Sequence, residues 1–380
     1  MSREVMPTLQ MLFGASRRTP QTVHFEWRLI RRRSKPFLLV PTSWTIQRGG
    51  WGLYSPQRWS AKFGWTLLPL LFRTPVARMF ERIDLDVDIN SEFLQFLYRQ
   101  SGVPPDRIQA SAIRFSGALG VSRITLLICD KDQRPVSVAK VGLNSVGREL
   151  TACEADLIET LPDSLCQTKV TGRLNTSALT AFATAYLSGG GIRDDVGLER
   201  LFQSWLNPGP LKPLASLETW RQLEAKVADA EPGAWRILHA QLAGKVVRTT
   251  LYHGDFASWN VRVIGDGDFT VFDWERGQLQ GIPGWDWFHF VVQTGILVKR
   301  HSPERVAATL ERLLRSERMK EYMAAAAIGD IARPLLLAFL LHQKWVINPT
   351  EGARETRELL GLLSARWQVI VDQTSRAAET

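Results

Sequence analysis

Cysteine is scarce in this 380-residue sequence. Its three cysteines, Cys129, Cys153 and Cys166, form no Cys-x-x-Cys pair and accompany no histidine cluster at metal-ligand spacing. Neither a disulfide framework nor a structural zinc site is indicated. We therefore expect free thiols and a reducing, cytoplasmic environment.

Long apolar runs are also missing. No stretch approaches the roughly 20 apolar residues of a membrane-spanning helix, and the N-terminus lacks the continuous apolar segment of a secretory signal. Hydrophobic residues make up 45% and charged residues 22%, which is ordinary for a folded globular protein. Because single cores stop growing near about 250 to 300 residues, we expect two lobes and an appendage.

Acidic residues are nearly absent from the first 80 positions. This stretch has 13 Lys or Arg against only Glu4 and Glu26, whereas the whole chain has a net charge of +9. A basic arm on a near-neutral body indicates an anionic neighbour, or an ordinary solvated surface. We expect no nucleic-acid partner.

Five basic residues lie directly before the apolar run 36–41, and they are Arg28, Arg31, Arg32, Arg33 and Lys35. Polybasic segments beside apolar residues bind anionic lipids. We predict peripheral contact of residues 28–41 with the inner membrane face. The alternative is that residues 37–40 form a buried strand while the arginines face solvent or acidic residues of the body.

The residue pattern divides the chain into three parts. Residues 1–84 form a basic extension of unassigned fold. Residues 85–188 read as a β-rich lobe, with a helix within 85–103, a meander of strands at 113–117, 122–129 and 135–141, a helix ending near Leu161, and two further strands. Residues 189–191 are glycines that suit a flexible joint, and 189–380 are mostly helical around a β-rich insert at 249–273.

The insert contains the polar residues with the clearest chemistry. His253, Gly254 and Asp255 precede Asn260 by a few positions, and Asp273 follows 13 residues later, before Trp274 and Glu275. A hairpin turning at residues 265–267 brings Asn260 and Asp273 to one end. Carboxylate and amide oxygens suit magnesium, and Asp255 can accept the proton of an attacking hydroxyl. The alternative is a polar turn whose side chains only cap backbone groups.

These segments resemble the His-Gly-Asp-x-x-x-x-Asn catalytic loop and the Ile-Asp-Trp-Glu hairpin of aminoglycoside and choline kinases, over about residues 110–295. The resemblance implies an α+β, bilobal protein-kinase-like fold with a β-rich N-lobe and a mostly helical C-lobe. It also implies an ATP- and magnesium-dependent transfer of a phosphoryl group to a small-molecule hydroxyl, with Asp255 as base, His253 as support, and Asn260 and Asp273 as metal ligands. The alternative is a catalytically silent kinase-like protein that binds a nucleotide or a partner.

The resemblance also assigns a nucleotide site upstream. Lys140, in the apolar run 136–141, corresponds to the strand lysine that contacts phosphates, and Glu154 is its expected partner on the next helix. Ser116, Gly117 and Gly120 occupy the nucleotide-covering loop, although the spacing departs from Gly-x-Gly-x-x-Gly. Asp286 corresponds to the helix-start aspartate that supports the catalytic loop, and it would equally serve as a helix cap.

Two narrower functions are disfavoured. Asp-Phe-Gly and Ala-Pro-Glu elements are absent, and about a dozen residues separate Asp273 from Asp286, too few for the activation segment of a protein kinase. Residues 281–380 hold 13 basic and 11 acidic residues, which does not suit a polycationic antibiotic acceptor. A sugar, an amino alcohol or a lipid-linked precursor remains as acceptor.

Overall fold

The structure is a computed structural model that describes residues 4–14, 21–32, 34–42, 59–104, 112–115, 122–130, 132, 134–163, 165–192, 197–264, 268–351 and 354–378. The chain divides into two compact units, Met1–Ser188 and Gly189–Thr380. The first is rich in strands and the second is mostly helical, in the order that the sequence predicts. Among the described residues, no helix combines the length and the apolarity needed to cross a membrane.

Unit 1 is built on one eight-stranded antiparallel sheet of order β3-β1-β2-β4-β5-β6-β8-β7. Its strands are β1 Thr22–Arg32, β2 Lys35–Pro41, β3 Glu81–Asp88, β4 Ala112–Phe115, β5 Arg123–Cys129, β6 Pro135–Gly142, β7 Val170–Asn175 and β8 Thr180–Ala185. Its helices are α1 Met6–Phe13, α2 Trp59–Leu71, α3 Glu92–Ser101 and α4 Ser145–Thr160. The predicted meander is confirmed as β4, β5 and β6.

The N-terminal extension contributes three of these strands. The boundary predicted between residues 84 and 85 falls inside β3, and β2 pairs with β4, so β1 to β3 belong to the same sheet as the later strands. The helix predicted within 85–103 is shorter, because Leu85 and Val87 are buried at the two-residue period of a strand. Ser91 caps the N-terminus of α3 by accepting a hydrogen bond from Leu94 N. Gly102, in the left-handed region, caps its C-terminus.

The two faces of the sheet carry separate apolar clusters. One cluster joins α1 and α3 to inward side chains of the strands, with Phe25, Trp27 and Phe93 at its centre. The smaller cluster on the other side contains Leu38 and Val40, against which α2 packs. Both faces of the sheet therefore contribute buried side chains.

Burial of β2 leaves the predicted peripheral membrane contact of residues 28–41 without its apolar residues. Leu38, Leu39 and Val40 are each 0% exposed. Arg31 meanwhile donates to Glu4 and to Glu81, each at 3.0 Å. The buried-strand alternative describes this segment, because its apolar residues complete the sheet instead of leaving it.

Unit 2 consists of helices around three small sheets. The helices are α5 Leu198–Ser204, α6 Glu218–Ala230, α7 Pro232–Leu242, α8 Trp285–Gln293, α9 Pro303–Arg315, α10 Glu317–Ala325, α11 Ala332–His342, α12 Asn348–Glu351 and α13 Arg354–Ala378, with π-helical turns at Thr294–Val298 and Gln343–Ile347. The strands are β9 Gly190–Gly191, β10 Lys212–Pro213, β11 Val246–Val247, β12 Thr250–Tyr252, β13 Val261–Ile264, β14 Asp268–Val271 and β15 Gln278–Gly281.

The predicted hairpin of the β-rich insert is confirmed. β13 pairs with β14 from Val261 opposite Val271 to Ile264 opposite Asp268, while its turn at 265–267 lies outside the described residues. Gly190 and Gly191 were predicted to form a flexible joint, but they pair with Val263 and Arg262 as an added strand. β13 directly follows the loop between β12 and β13. The end of the hairpin at Val261 and Val271 therefore lies next to that loop.

Candidate active site

The loop between β12 and β13, residues 253–260, is held by the first turn of α8. Asp286 Oδ2 accepts from the backbone N of His253 at 2.7 Å, and Oδ1 accepts from Gly254 N at 3.0 Å. Gly284 is the N-cap of α8, so the side chain of Asp286 supports the loop instead of capping its own helix. Burial raises the pKa of Asp286 to about 7, although both backbone donors lower it.

Gly254 permits a close approach of the loop to the segment after the hairpin. Its φ is +79°, in the left-handed region, and a Cβ there would lie 2.7 Å from Arg276 Cβ. The loop also rests on an aromatic cluster, since Phe256 meets Trp205 edge-on with centroids 5.6 Å apart. These contacts fix the backbone that carries the polar residues.

His253 joins the loop to the hairpin. The backbone N of Asp255 donates to Nδ1 at 3.2 Å, so the ring proton is on Nε2, which donates to Phe272 O at 2.8 Å. Burial lowers the pKa of His253 to about 4, and the ring is neutral near pH 7. This geometry is that of a structural support, the role that the resemblance implies.

Both carboxylate oxygens of Asp255 are held by hydrogen bonds. Asn260 Nδ2 lies 3.0 Å from Oδ2 and 2.9 Å from the backbone O of Asp255, and His289 Nε2 lies 3.1 Å from Oδ1. The Asp255 side chain is 25% exposed, whereas that of His289 is 3% exposed. An accessible carboxylate in a fixed orientation can accept a proton from a hydroxyl group brought to it.

Asn260 and Asp273 offer oxygen ligands at the end of the hairpin. Phe272 N donates to Asn260 O at 2.8 Å, which aligns Asn260 with the residue before Asp273. Because Asn260 Nδ2 is directed at Asp255, the remaining ligand atom of the amide is Oδ1. Asp273 has φ +70°, which turns it out of the strand course of β14. A carboxylate and an amide oxygen fit magnesium, which prefers hard oxygen donors.

The two residues predicted for nucleotide phosphates come together in unit 1. Lys140 Nζ on β6 lies 2.5 Å from Glu154 Oε1 on α4, and their side chains are 15% and 1% exposed. Arg123 Nη2 lies 3.9 Å from the other Glu154 oxygen. A buried ion pair of this kind fixes the position of the ammonium group. Ser116, Gly117 and Gly120 lie outside the described residues.

Sequence reasoning missed His289. It lies three residues after Asp286 on α8, and the two side chains therefore reach the same loop from one face of the helix. That i, i+3 spacing was the available signal, because side chains at this spacing lie on the same face of a helix.

Comparison with known proteins gives structural likenesses only. No protein-family model matches the chain, and no curated protein matches it. A thermostable variant of aminoglycoside phosphotransferase APH(4)-Ia, in ternary complex with AMP-PNP and hygromycin B, is similar at 15% identity and TM-score 0.43, over 73% of this chain and 97% of that chain. Spectinomycin phosphotransferase APH(9)-Ia, in complex with ADP and spectinomycin, is similar at 10% identity and TM-score 0.39, over 74% and 98%. Choline kinase from Cryptosporidium parvum Iowa II is similar at 10% identity and TM-score 0.43, over 74% and 96%.

Proposed function

We propose that the protein is an ATP- and magnesium-dependent phosphotransferase that acts on a hydroxyl group of a small molecule. The observation that carries the proposal is the fixed carboxylate of Asp255, bound on one oxygen by His289 and on the other by Asn260. Such a group has the orientation that proton acceptance from a hydroxyl requires, and Asn260 also borders the candidate metal ligand Asp273.

Each residue of the site has a distinct part in this proposal. Asn260 Oδ1 and Asp273 hold magnesium, and Lys140, fixed by Glu154, binds nucleotide phosphates. When bound, ATP would supply the phosphoryl group and magnesium would neutralise its charge. Asp255 orients the acceptor hydroxyl and takes its proton.

His253 and Asp286 serve the same site without proton transfer to substrate. A neutral His253 ties the loop to the hairpin, and Asp286 holds two of its backbone amides. Both act by keeping the position of Asp255 fixed, and phosphoryl transfer depends mainly on such positioning. We assign the reaction to the cytoplasm, because three free cysteines suit the reducing conditions of that compartment.

A catalytically silent, nucleotide-binding protein is the second candidate. It would keep the ligands Asn260 and Asp273 but would have no need for an oriented Asp255. The two hydrogen bonds that hold this carboxylate favour the enzyme.

An ADP-release screen of the full chain tests the proposal. The panel contains neutral sugars, amino alcohols including choline, and aminoglycosides, each with ATP and magnesium. We expect at least one sugar or amino alcohol to raise ADP release well above the rate without acceptor, and Asp255→Asn to remove that increase. An increase that persists in Asp255→Asn, or its absence for every member of the panel, would count against the proposal.

A further inference from the structure

Helix α2 is apolar on two sides, although only one of them packs against the sheet. Trp65, Leu68 and Phe72 pack against the smaller apolar cluster of unit 1, which contains Leu38 and Val40. On the other side, Leu67, Leu70 and Leu71 are 38%, 51% and 39% exposed. A helix that only covered a sheet would have polar residues on its solvent side.

The exposed apolar surface continues beyond the helix. The 3-10 turn Pro75–Met79 follows α2 and contacts it. In this turn Val76 is 42% exposed and Met79 is 84% exposed. Single exposed apolar residues are ordinary, but several neighbouring ones mark an interaction surface.

Basic residues accompany these apolar side chains. Arg73 and Arg78 are exposed in the same segment. The sequence contains no Asp or Glu from residue 59 to residue 80, so no carboxylate of this segment offsets the two arginines. A partner that offers negative charge together with an apolar layer therefore complements this surface.

We infer that this surface, made of Leu67, Leu70, Leu71, Arg73, Val76, Arg78 and Met79 and here called the α2 surface, binds an anionic lipid bilayer. Leucine and methionine enter the boundary between headgroups and acyl chains, and the arginines pair with lipid phosphates. α2 has 13 residues, a length of about 20 Å, so it lies along the bilayer surface.

Other occupants fit these features less well. A symmetric pair of chains would bring two copies of the same cationic surface together, which is electrostatically unfavourable. A nucleic acid would pair with the arginines but gain little from leucine and methionine, since it stacks on aromatic rings. The bilayer satisfies both the charge and the apolar area.

Vesicle co-sedimentation of the full chain tests this inference. The vesicles are phosphatidylcholine with about one third phosphatidylglycerol, compared with phosphatidylcholine alone, at low and high salt. We expect sedimentation with the anionic vesicles, weaker sedimentation at high salt, and little with the neutral ones. Absence of binding to the anionic vesicles at low salt, or equal binding to both, would overturn the inference.

Substitutions locate the binding surface. Leu67→Gln, Leu70→Gln, Leu71→Gln and Met79→Gln are combined in one variant, which should lower the partition coefficient at least about tenfold. The matched control combines Leu362→Gln and Val369→Gln, exposed apolar positions of α13 at 63% and 55%, and should bind like wild type. Thermal melting of each variant checks that it is folded.

A charge-only variant covers the case in which the apolar variant misfolds. Arg73→Gln combined with Arg78→Gln should weaken binding to anionic vesicles severalfold and flatten its salt dependence. Unchanged binding in this variant would overturn the inference. A wild-type dimer in gel filtration that the apolar variant dissociates would assign the surface to a second copy of the chain, with the same consequence.

Discussion

At the scale of single residues, His289 holds one carboxylate oxygen of Asp255, and Asn260 holds the other. We expect His289→Phe to lower kcat about 10- to 100-fold, because a hydrogen bond to a charged group contributes about 1 to 3 kcal/mol. The KM for ATP should stay close to that of wild type, since the hydrogen bond of His289 is to Asp255 and its ring packs against Phe339. Steady-state ADP release with an acceptor found in the panel measures both quantities.

Two further variants separate positioning from packing. His289→Gln keeps a side-chain donor and should recover much of the lost kcat, whereas a merely structural role would leave Gln no better than Phe. His301→Phe changes a histidine that lies outside the site and should behave as wild type. Equal kcat in His289→Phe and wild type would show that Asn260 alone holds the base.

Individual residues of the candidate site can be predicted from the sequence when polar residues of suitable type occur at the spacing that the chemistry requires. Asp255, Asn260 and Asp273 were accessible in this way, and the structure brings their segments together. His289 was harder to predict, because its i, i+3 spacing from Asp286 indicates a shared helix face, whereas only the three-dimensional path of the loop shows what that face contacts. The raised pKa of Asp286 could not be predicted from the sequence either, since it depends on the burial of the side chain.

At the scale of elements, the junction between β6 and α4 controls the ion pair in unit 1. A Cβ on Gly142 would lie 2.1 Å from Gly147 O, inside the start of α4. We expect Gly142→Ala to push α4 away from β6, which separates Glu154 from Lys140. The loss should be about 1 to 3 kcal/mol in the free energy of unfolding, measured by urea denaturation, with weaker nucleotide binding.

Gly233→Ala on α7 is the matched control. A Cβ there meets nothing within 4 Å, and alanine is favoured over glycine inside a helix. This variant should be at least as stable as wild type. Equal stability of Gly142→Ala and wild type would mean that the junction relaxes at no cost.

Elements with a clear period were predictable and the N-terminal strands were not. The apolar, β-type run from Ile124 to Cys129 and the turn before Pro135 indicate a meander that β5 and β6 confirm. β1 and β3 pair across more than 50 intervening residues, as with Phe25 opposite Leu85, and local patterns carry no signal for such distant pairing. For the same reason, the sequence does not decide between membrane contact of residues 28–41 and a buried strand at 37–40, and the structure shows the strand.

At the scale of the whole molecule, the candidate residues are divided between the two units. Unit 1 contains the Lys140 and Glu154 pair, and unit 2 contains the candidate base Asp255 and the candidate metal ligands Asn260 and Asp273. Two lobes were predictable from chain length and from the order of strands and helices. The membership of residues 22–41 in the first sheet was not, because it depends on tertiary pairing.

Isothermal titration of the full chain with ATP and magnesium tests the central claim most directly. Wild type should bind in the micromolar to millimolar range, Asp273→Ala should lose the magnesium-dependent part of binding, and Asp255→Asn should bind like wild type, because only the transition state needs the base. Absence of binding by wild type at millimolar ATP would contradict the account, and equal loss in both variants would show that Asp255 is a metal or structural group instead of the base.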